Sequence, residues 1–282
     1  MTSTVEKAGY RDIFGRFREI LSDPISLMID RVEDAGTVKD GLVTLHNGVR
    51  VPADGEDAYY HGFAAILQIN RGVHEPLEEF VFQEVLRHMP EAPVMIELGS
   101  YWAHYSMWMQ QARPKASNIM VELEPAFSAV GQQNFQTNGF QGEFIVSRVG
   151  PDDWTIDKFM AERGLEKIDL LHSDIQGAEF EMLRTAVETI EAKKIDRLMV
   201  STHSRDLHRF TTEALSHEGY RIEVDCHPDT NATATDGFVL AVHPDVEPVF
   251  DGLSFLGREA LLTATPRDIV AALQGALNFY KG

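Results

Sequence analysis

The hydrophobic rhythm of this 282-residue chain changes near residue 93. Before it, apolar residues come in separate patches. Ile13, Phe14, Phe17, Ile20 and Leu21 recur at helical spacing and predict an amphipathic helix that stops near Ser22-Asp23-Pro24. Val43 to Val51 alternates apolar and polar residues around Asn47-Gly48. That pair tolerates the positive φ of a tight turn, so the stretch predicts a hairpin. Leu77, Phe80, Val81, Val85 and Leu86 predict a second helix, ending before Pro90. Between hairpin and helix lie Asp57-Ala58-Tyr59-Tyr60-His61 and Gly72-Val73-His74-Glu75-Pro76. Tyr59, Tyr60, His61 and His74 suit the lining of a pocket, although single residues of these types usually serve packing.

From Val94 onward strand and helix alternate. Apolar runs at Val94–Leu98, Ile119–Leu123, Phe144–Val146, Ile168–His172 and Leu198–Val200 are separated by helical patterns. Those patterns run through Ser106–Met109, Phe127–Thr137, Ile156–Glu162, Phe180–Ile190 and Leu207–Leu215. Strands that are apolar on both faces predict a mostly parallel sheet covered by helices, an α/β fold. Tyr220–Val224 and Gly237–Val242 follow each other with no helix between, which predicts an antiparallel hairpin at the sheet edge. Pro266 to Tyr280 carries Ile269, Val270, Leu273 and Leu277 at helical spacing, for a helix that packs on the domain or makes a dimer contact.

Ligands of such sheets sit at the carboxyl ends of the strands, near the reversal of strand order. Those ends read Glu97-Leu98-Gly99-Ser100, Glu122-Leu123-Glu124-Pro125, His172-Ser173-Asp174 and Ser201-Thr202-His203-Ser204. A dinucleotide would need G-x-G-x-x-G. Only Gly99 is in place, with Tyr101 and Ala103 at the other glycine positions, so an NAD(P)-linked oxidoreductase is disfavoured. A lone glycine flanked by acidic strand ends suits S-adenosylmethionine, which has a ribose diol, an ammonium and a sulfonium but no phosphate. Glu124 is placed to clasp both ribose hydroxyls, and Glu97 with Gly99, Ser100 and Ser106 to surround the amino-acid end. Tyr101-Trp102 could offer aromatic faces to the sulfonium, although packing against the sheet is the default for such a pair.

These segments carry a family pattern. Val94 to Ser106 resembles the D-x-G-A-x-x-G-x-x-[ST] motif of the FkbM-type S-adenosylmethionine-dependent methyltransferases. Glu124-Pro125, Asn134 with Asn138-Gly139, Trp154 to Phe159, and Ile168 to Glu179 are similar to four further motifs of that family, in the same order. The resemblance covers about residues 93–242 and implies a Rossmann-like methyltransferase sheet. It also implies three parts: residues 1–90 as a lid or substrate wall, 91–250 as the cofactor-binding domain, and 251–282 as a helical appendage. This chain departs from the pattern at Glu97 for Asp, Ala103 for Gly, His172 for Lys and Gln176 for Glu. With Ala103, the loop is expected to pass the cofactor with a methyl group in the way, or to shift slightly.

Methyl transfer is an in-line displacement that needs an aligned acceptor and a base. Asp174 and His203 are the candidates, His203 as base with Asp174 orienting it. In a second version both ligate Mg2+ or another divalent ion, with Asp206 as a further oxygen donor, as related sugar and natural-product O-methyltransferases do. The metal-free version is favoured, because a hard ion wants more oxygens than can be named here.

Charge narrows the partners. The formal net charge is −19, with 9 basic against 15 acidic residues in 1–90, 10 against 17 in 91–200, and 6 against 12 in 201–282. Duplex nucleic acid and anionic membranes ask for basic clusters, which are missing. No N/D-P-P-Y/F tetrapeptide of exocyclic-amine methylation occurs either. Cys226 is the single cysteine, and charges scattered through Met1–Ile20 interrupt any secretory apolar core, so a cytoplasmic protein is expected. The acceptor expected is a small, neutral or cationic hydroxylated molecule. The rival reading is a protein that binds S-adenosylmethionine without chemistry.

Overall fold

The computed structural model describes residues 13–59, 64–230, 234, 236–250 and 255–279. The chain divides into two compact units, Met1–Phe80 and Val81–Gly282.

In the first unit, helix α1 (Ile13–Ser22) gives way to a 3-10 turn at Pro24–Met28, capped by Asp23, whose Oδ1 accepts the Ile25 amide at 3.0 Å. The hairpin predicted around Asn47-Gly48 is present, and Asn47 Oδ1 accepts the Val49 amide at 3.0 Å. It forms two strands of a three-stranded antiparallel sheet, β1 (Val38–Lys39), β2 (Leu42–Thr44) and β3 (Arg50–Pro52). β1 was not visible in the pattern, because a two-residue strand has no period to read. A short helix α2 (Ala65–Ile69) packs Ile66 and Leu67 inside. Helix α3 (Pro76–Arg87) begins on a buried ionic cluster. Glu79 is fully buried, takes His74 Nδ1 at 2.5 Å and lies 3.7 Å from His46 Nε2. His74 and Tyr59 are also buried, ring edge on ring face at 4.8 Å. Both therefore serve the interior of their unit. Tyr60 and His61 lie outside the described residues.

The second unit is built on a seven-stranded sheet, β4 (Val94–Leu98), β5 (Ser117–Glu122), β6 (Glu143–Val146), β7 (Leu170–Ser173), β8 (Arg197–Thr202), β9 (Arg221–Cys226) and β10 (Gly237–Val242). The spatial order is β6-β5-β4-β7-β8-β10-β9. β6 through β8 are parallel, and β10 runs antiparallel to both β8 and β9. The predicted edge hairpin therefore exists, with its second strand inserted inside the first. The connecting helices are α4 (His104–Ala112), α5 (Pro125–Asn138), α6 (Ile156–Arg163), α7 (Glu179–Arg184), α8 (Val187–Glu191) and α9 (Arg205–His217). The single helix expected over 180–190 is two. Thr185 and Ala186 close the first, and the Thr185 hydroxyl turns back onto the Met182 carbonyl at 2.7 Å.

Ile96, Leu98, Val121, Leu171, Leu198 and Val200 lie at or near zero exposure between the helical layers. Burying each such side chain contributes about 1.5–3 kcal/mol, and this core fixes the strand ends. Past β10, α10 (Arg258–Thr263) and α11 (Pro266–Phe279) follow; Val270 and Leu277 of α11 are exposed and Ala276 is buried. Among the described residues, no helix is long and apolar enough to cross a membrane.

Candidate active site

Strand order reverses between β4 and β7, and there the two chain segments after the strands meet. The register pairs Glu97 with His172 and Leu98 with Ser173, so Gly99 and Asp174 come next, side by side. The contact leaves no room for a side chain. A Cβ on Gly99, whose φ is +72°, would lie 1.8 Å from the Asp174 carbonyl oxygen. Gly99 is required by this approach and by its left-handed backbone.

The loop after β4 is held by two carboxylates. Glu97 is buried and its Oε2 accepts the Ser106 amide at 3.0 Å, in the first turn of α4. Burial pushes its carboxyl above the usual range, against the pull of His172 and of Ser106. Ser106 is itself buried behind the loop. Glu97 and Ser106 thus shape the loop from beneath. Glu122, the last residue of β5, is the second carboxylate. Its Oε2 accepts the Tyr101 amide and its Oε1 the Glu124 amide, both at 2.9 Å. Burial raises this carboxyl too, and the amides offset part of the rise. The sequence reading passed over Glu122 for Glu124. Glu124 stands exposed before Pro125 at the start of α5, and makes no hydrogen bond that would cap the helix. Its carboxylate is open to a ligand.

Two non-glycine residues of the loop adopt left-handed backbone, Tyr101 at φ +43° and Ala103 at φ +61°. Each costs on the order of 1 kcal/mol, and such strain gathers at functional sites. The Ala103 methyl lies against α5. Ala103 is fully buried, and its Cβ lies 3.3 Å from where a Cβ on Gly131 of α5 would sit. The methyl fills the notch that Gly131 leaves. Trp102 is also turned inward, stacked on His104 at 5.1 Å, while Tyr101 meets Phe127 edge-on at 4.7 Å. Ser100 Oγ is buried and has no hydrogen-bond partner among the described residues. A buried hydroxyl left in this way fits a polar ligand at the loop. The Gly99 cradle, the Ser100 hydroxyl and the open Glu124 carboxylate suit a nucleoside with an amino-acid tail.

Asp174 and His203 follow adjacent parallel strands and meet, His203 Nε2 lying 3.2 Å from Asp174 Oδ1. Gln176, itself at φ +51°, donates its amide to the same oxygen at 2.9 Å. Asp236, ahead of β10, comes within 4.0 Å of Nε2. The other ring nitrogen, Nδ1, is 2.6 Å from Glu179 Oε1. Burial alone would lower the pKa of this ring. The contacts with Asp174 and Glu179 and the charges of Asp174 and Asp236 outweigh it, pushing the ring up to about 11. Burial likewise opposes ionisation of Asp174, but His203, His172 and Gln176 hold its carboxyl below the usual range. His172 is buried on β7, its ring 4.2 Å from that of Tyr105.

Of the two residues expected to share a divalent ion in the second version, Asp174 Oδ1 and His203 Nε2 lie 3.2 Å apart, while Nδ1 is taken by Glu179. Asp206, the further oxygen expected, points away on the first turn of α9, 94% exposed beside Arg209.

Residues 110–222 match the family model described as Methyltransferase FkbM domain. That stretch of the chain is similar to an FkbM methyltransferase domain. The match runs from α4 to the start of β9 and so takes in Glu122, Glu124, Asp174, Glu179 and His203, while Gly99 precedes it. The chain is similar in structure to a precorrin-6y C5,15-methyltransferase of Geobacter metallireducens, at 13% identity and TM-score 0.44, over 67% of this chain and 92% of that one. It is similar to TrmK of M. capricolum, solved with S-adenosyl-homocysteine, at 14% identity and TM-score 0.41, over 71% and 93%. A third is a TehB-like S-adenosylmethionine-dependent methyltransferase of Corynebacterium glutamicum, at 11% identity and TM-score 0.41, over 58% and 86%. No curated protein matches the chain.

Proposed function

We propose that this chain is an FkbM-type S-adenosylmethionine-dependent O-methyltransferase acting on a hydroxyl of a small, neutral or cationic molecule. The observation that carries the reading is the junction of the Gly99 loop with the Asp174–His203 pair at the reversal of strand order. It puts a ligand cradle and a proton acceptor on one rim.

When bound, S-adenosylmethionine supplies a methyl group activated on a sulfonium. The protein's part is to hold and to deprotonate. Glu124 accepts the ribose hydroxyls, Ser100 Oγ meets a polar group of the tail, and Glu122 and Glu97 keep the loop in shape. Asp174 and His203 would face the acceptor, and His203 Nε2 would take the proton that the acceptor hydroxyl gives up. The free ring holds its proton strongly, so its neutral, proton-accepting form grows with pH. The acidic rim of Asp174, Glu179 and Asp236 repels anionic acceptors, which agrees with the net charge of −19.

The test offers the full chain S-adenosylmethionine with a panel of sugars, phenols and aliphatic alcohols, and follows S-adenosylhomocysteine by mass spectrometry. Turnover that falls at least 100-fold in D174A and H203A, with cofactor affinity kept within threefold, supports the assignment. Cofactor binding with no turnover of any hydroxylated acceptor would leave a binding protein instead.

A further inference from the structure

We propose that Glu179 is the positioning residue of this site: its buried carboxylate fixes the orientation and tautomer of His203, so that Nε2 is presented to the acceptor. The inference rests on the methyltransferase reading above and extends it to a residue with no contact to substrate.

The geometry is specific. Glu179 opens α7 and is completely buried, whereas the His203 ring keeps 12% and the Asp174 side chain 28% exposure. Glu179 Oε1 lies 2.6 Å from Nδ1 and also accepts the Gly177 amide at 3.1 Å. The amide of the loop after β7 thereby fixes the carboxylate, and the carboxylate fixes the ring. A buried carboxylate held beside an imidazole keeps the proton on the near nitrogen and stabilises the imidazolium formed when the far one accepts a proton. The far nitrogen is directed at Asp174 and Asp236, which come from two other strand ends. These are the charged groups facing the ring: Asp174 beyond β7, Glu179 on α7, and Asp236 before β10. Only Glu179 is sealed from solvent, so only it can hold the ring without competing for the acceptor.

The sequence holds a trace of this. Glu179 closes the segment Asp174-Ile175-Gln176-Gly177-Ala178-Glu179, where Gly177 at φ +100° turns the chain so that α7 starts with Glu179 beside His203.

Two measurements on the full chain separate this claim from the function reading. The first is histidine-selective 15N NMR of His203, which needs no substrate. The wild-type ring is expected to stay protonated through about pH 9 and to carry its proton on Nδ1 once neutral. In Glu179→Gln its titration midpoint falls by more than one unit, and the neutral ring distributes between tautomers. An unchanged midpoint and tautomer in Glu179→Gln overturn the proposal. The second is steady-state kinetics on the best acceptor found. Glu179→Gln is expected to lower kcat by roughly 100- to 10,000-fold, the range seen when a histidine base loses its orienting carboxylate. KM for S-adenosylmethionine stays within threefold, and Glu179→Asp recovers part of the loss. Equal losses in Glu179→Asp and Glu179→Gln, or a matching rise in the cofactor KM, would mark a merely structural role and overturn it. If Glu179→Gln fails to fold, Glu179→Asp carries the test, and wild-type kcat in that variant is the contrary result. If the wild-type protein turns over no acceptor, the function reading fails, and the NMR result still decides whether Glu179 governs His203.

Discussion

The ion-paired ring of His203 makes stability depend on pH in a direction that can be worked out. Its folded pKa is about 11, while a histidine in an unfolded chain titrates near 6.5. A group whose folded pKa is raised contributes stability that is fully present below the unfolded value and is lost as pH rises toward the folded value. Between about pH 6.5 and 11 each unit removes up to roughly 1.4 kcal/mol. Partial exposure of the ring and of Asp174 screens the pair, so a slope on the order of 1 kcal/mol per unit is expected. The perturbation must remove the cation without stranding its partner, because H203Q alone would leave Glu179 ionised and buried. H203Q/E179Q keeps the shape and removes both charges. Urea unfolding of wild type and double variant at pH 6.5, 7.5 and 8.5, at one ionic strength, gives the comparison. Groups that titrate alike in both proteins cancel. The wild-type advantage is expected to shrink by about 2 kcal/mol across that window. Parallel stability curves would refute the charged ring, and with it the ion-paired geometry of the rim.

Other consequences concern the loop after β4. Glu122→Ala strands the Tyr101 and Glu124 amides and should cost about 2–4 kcal/mol in urea unfolding, since hydrogen bonds to a charged group contribute about 1.5–3 kcal/mol each; a loss below 0.5 kcal/mol by that assay would deny it the tethering role. Restoring the family glycine with Ala103→Gly should leave cofactor affinity within twofold in calorimetry and stability within about 1 kcal/mol, because relief of left-handed strain offsets lost methyl burial and added chain entropy. Gly131→Ala should destabilise by about 1–2 kcal/mol by overpacking against the Tyr101 carbonyl, Phe144 and Ala103. Ala103→Gly should return part of that loss, which a double-mutant cycle measures.

What could be read in advance follows from what periodicity encodes. The apolar runs of β4, β5, β7 and β8 are buried on both faces, so they stand out as strands and give the parallel sheet and the polar rim at its end. That Asp174 and His203 meet was legible because adjacent buried strands deliver their next residues to one place. Glu122 was missed because two carboxylates flank one leucine, and which of them turns inward depends on the loop it meets. Glu179 was missed because it reaches His203 across 24 residues of sequence, through the turn at Gly177. The seating of the Ala103 methyl beside Gly131 of α5 was not legible, since it follows from left-handed backbone at that residue. Asp206 looked available because it follows β8 closely, but the turn into α9 carries it outward.

The central claim is that the rim at Gly99 and Glu124 holds S-adenosylmethionine. Isothermal titration of S-adenosylmethionine into wild type and Glu124→Ala tests it directly. The expected result is saturable one-site binding to wild type, weakened roughly 10- to 100-fold in Glu124→Ala, the loss from removing the charged acceptor of the ribose hydroxyls. No binding to the wild-type protein, or equal affinity in the two proteins, would contradict it.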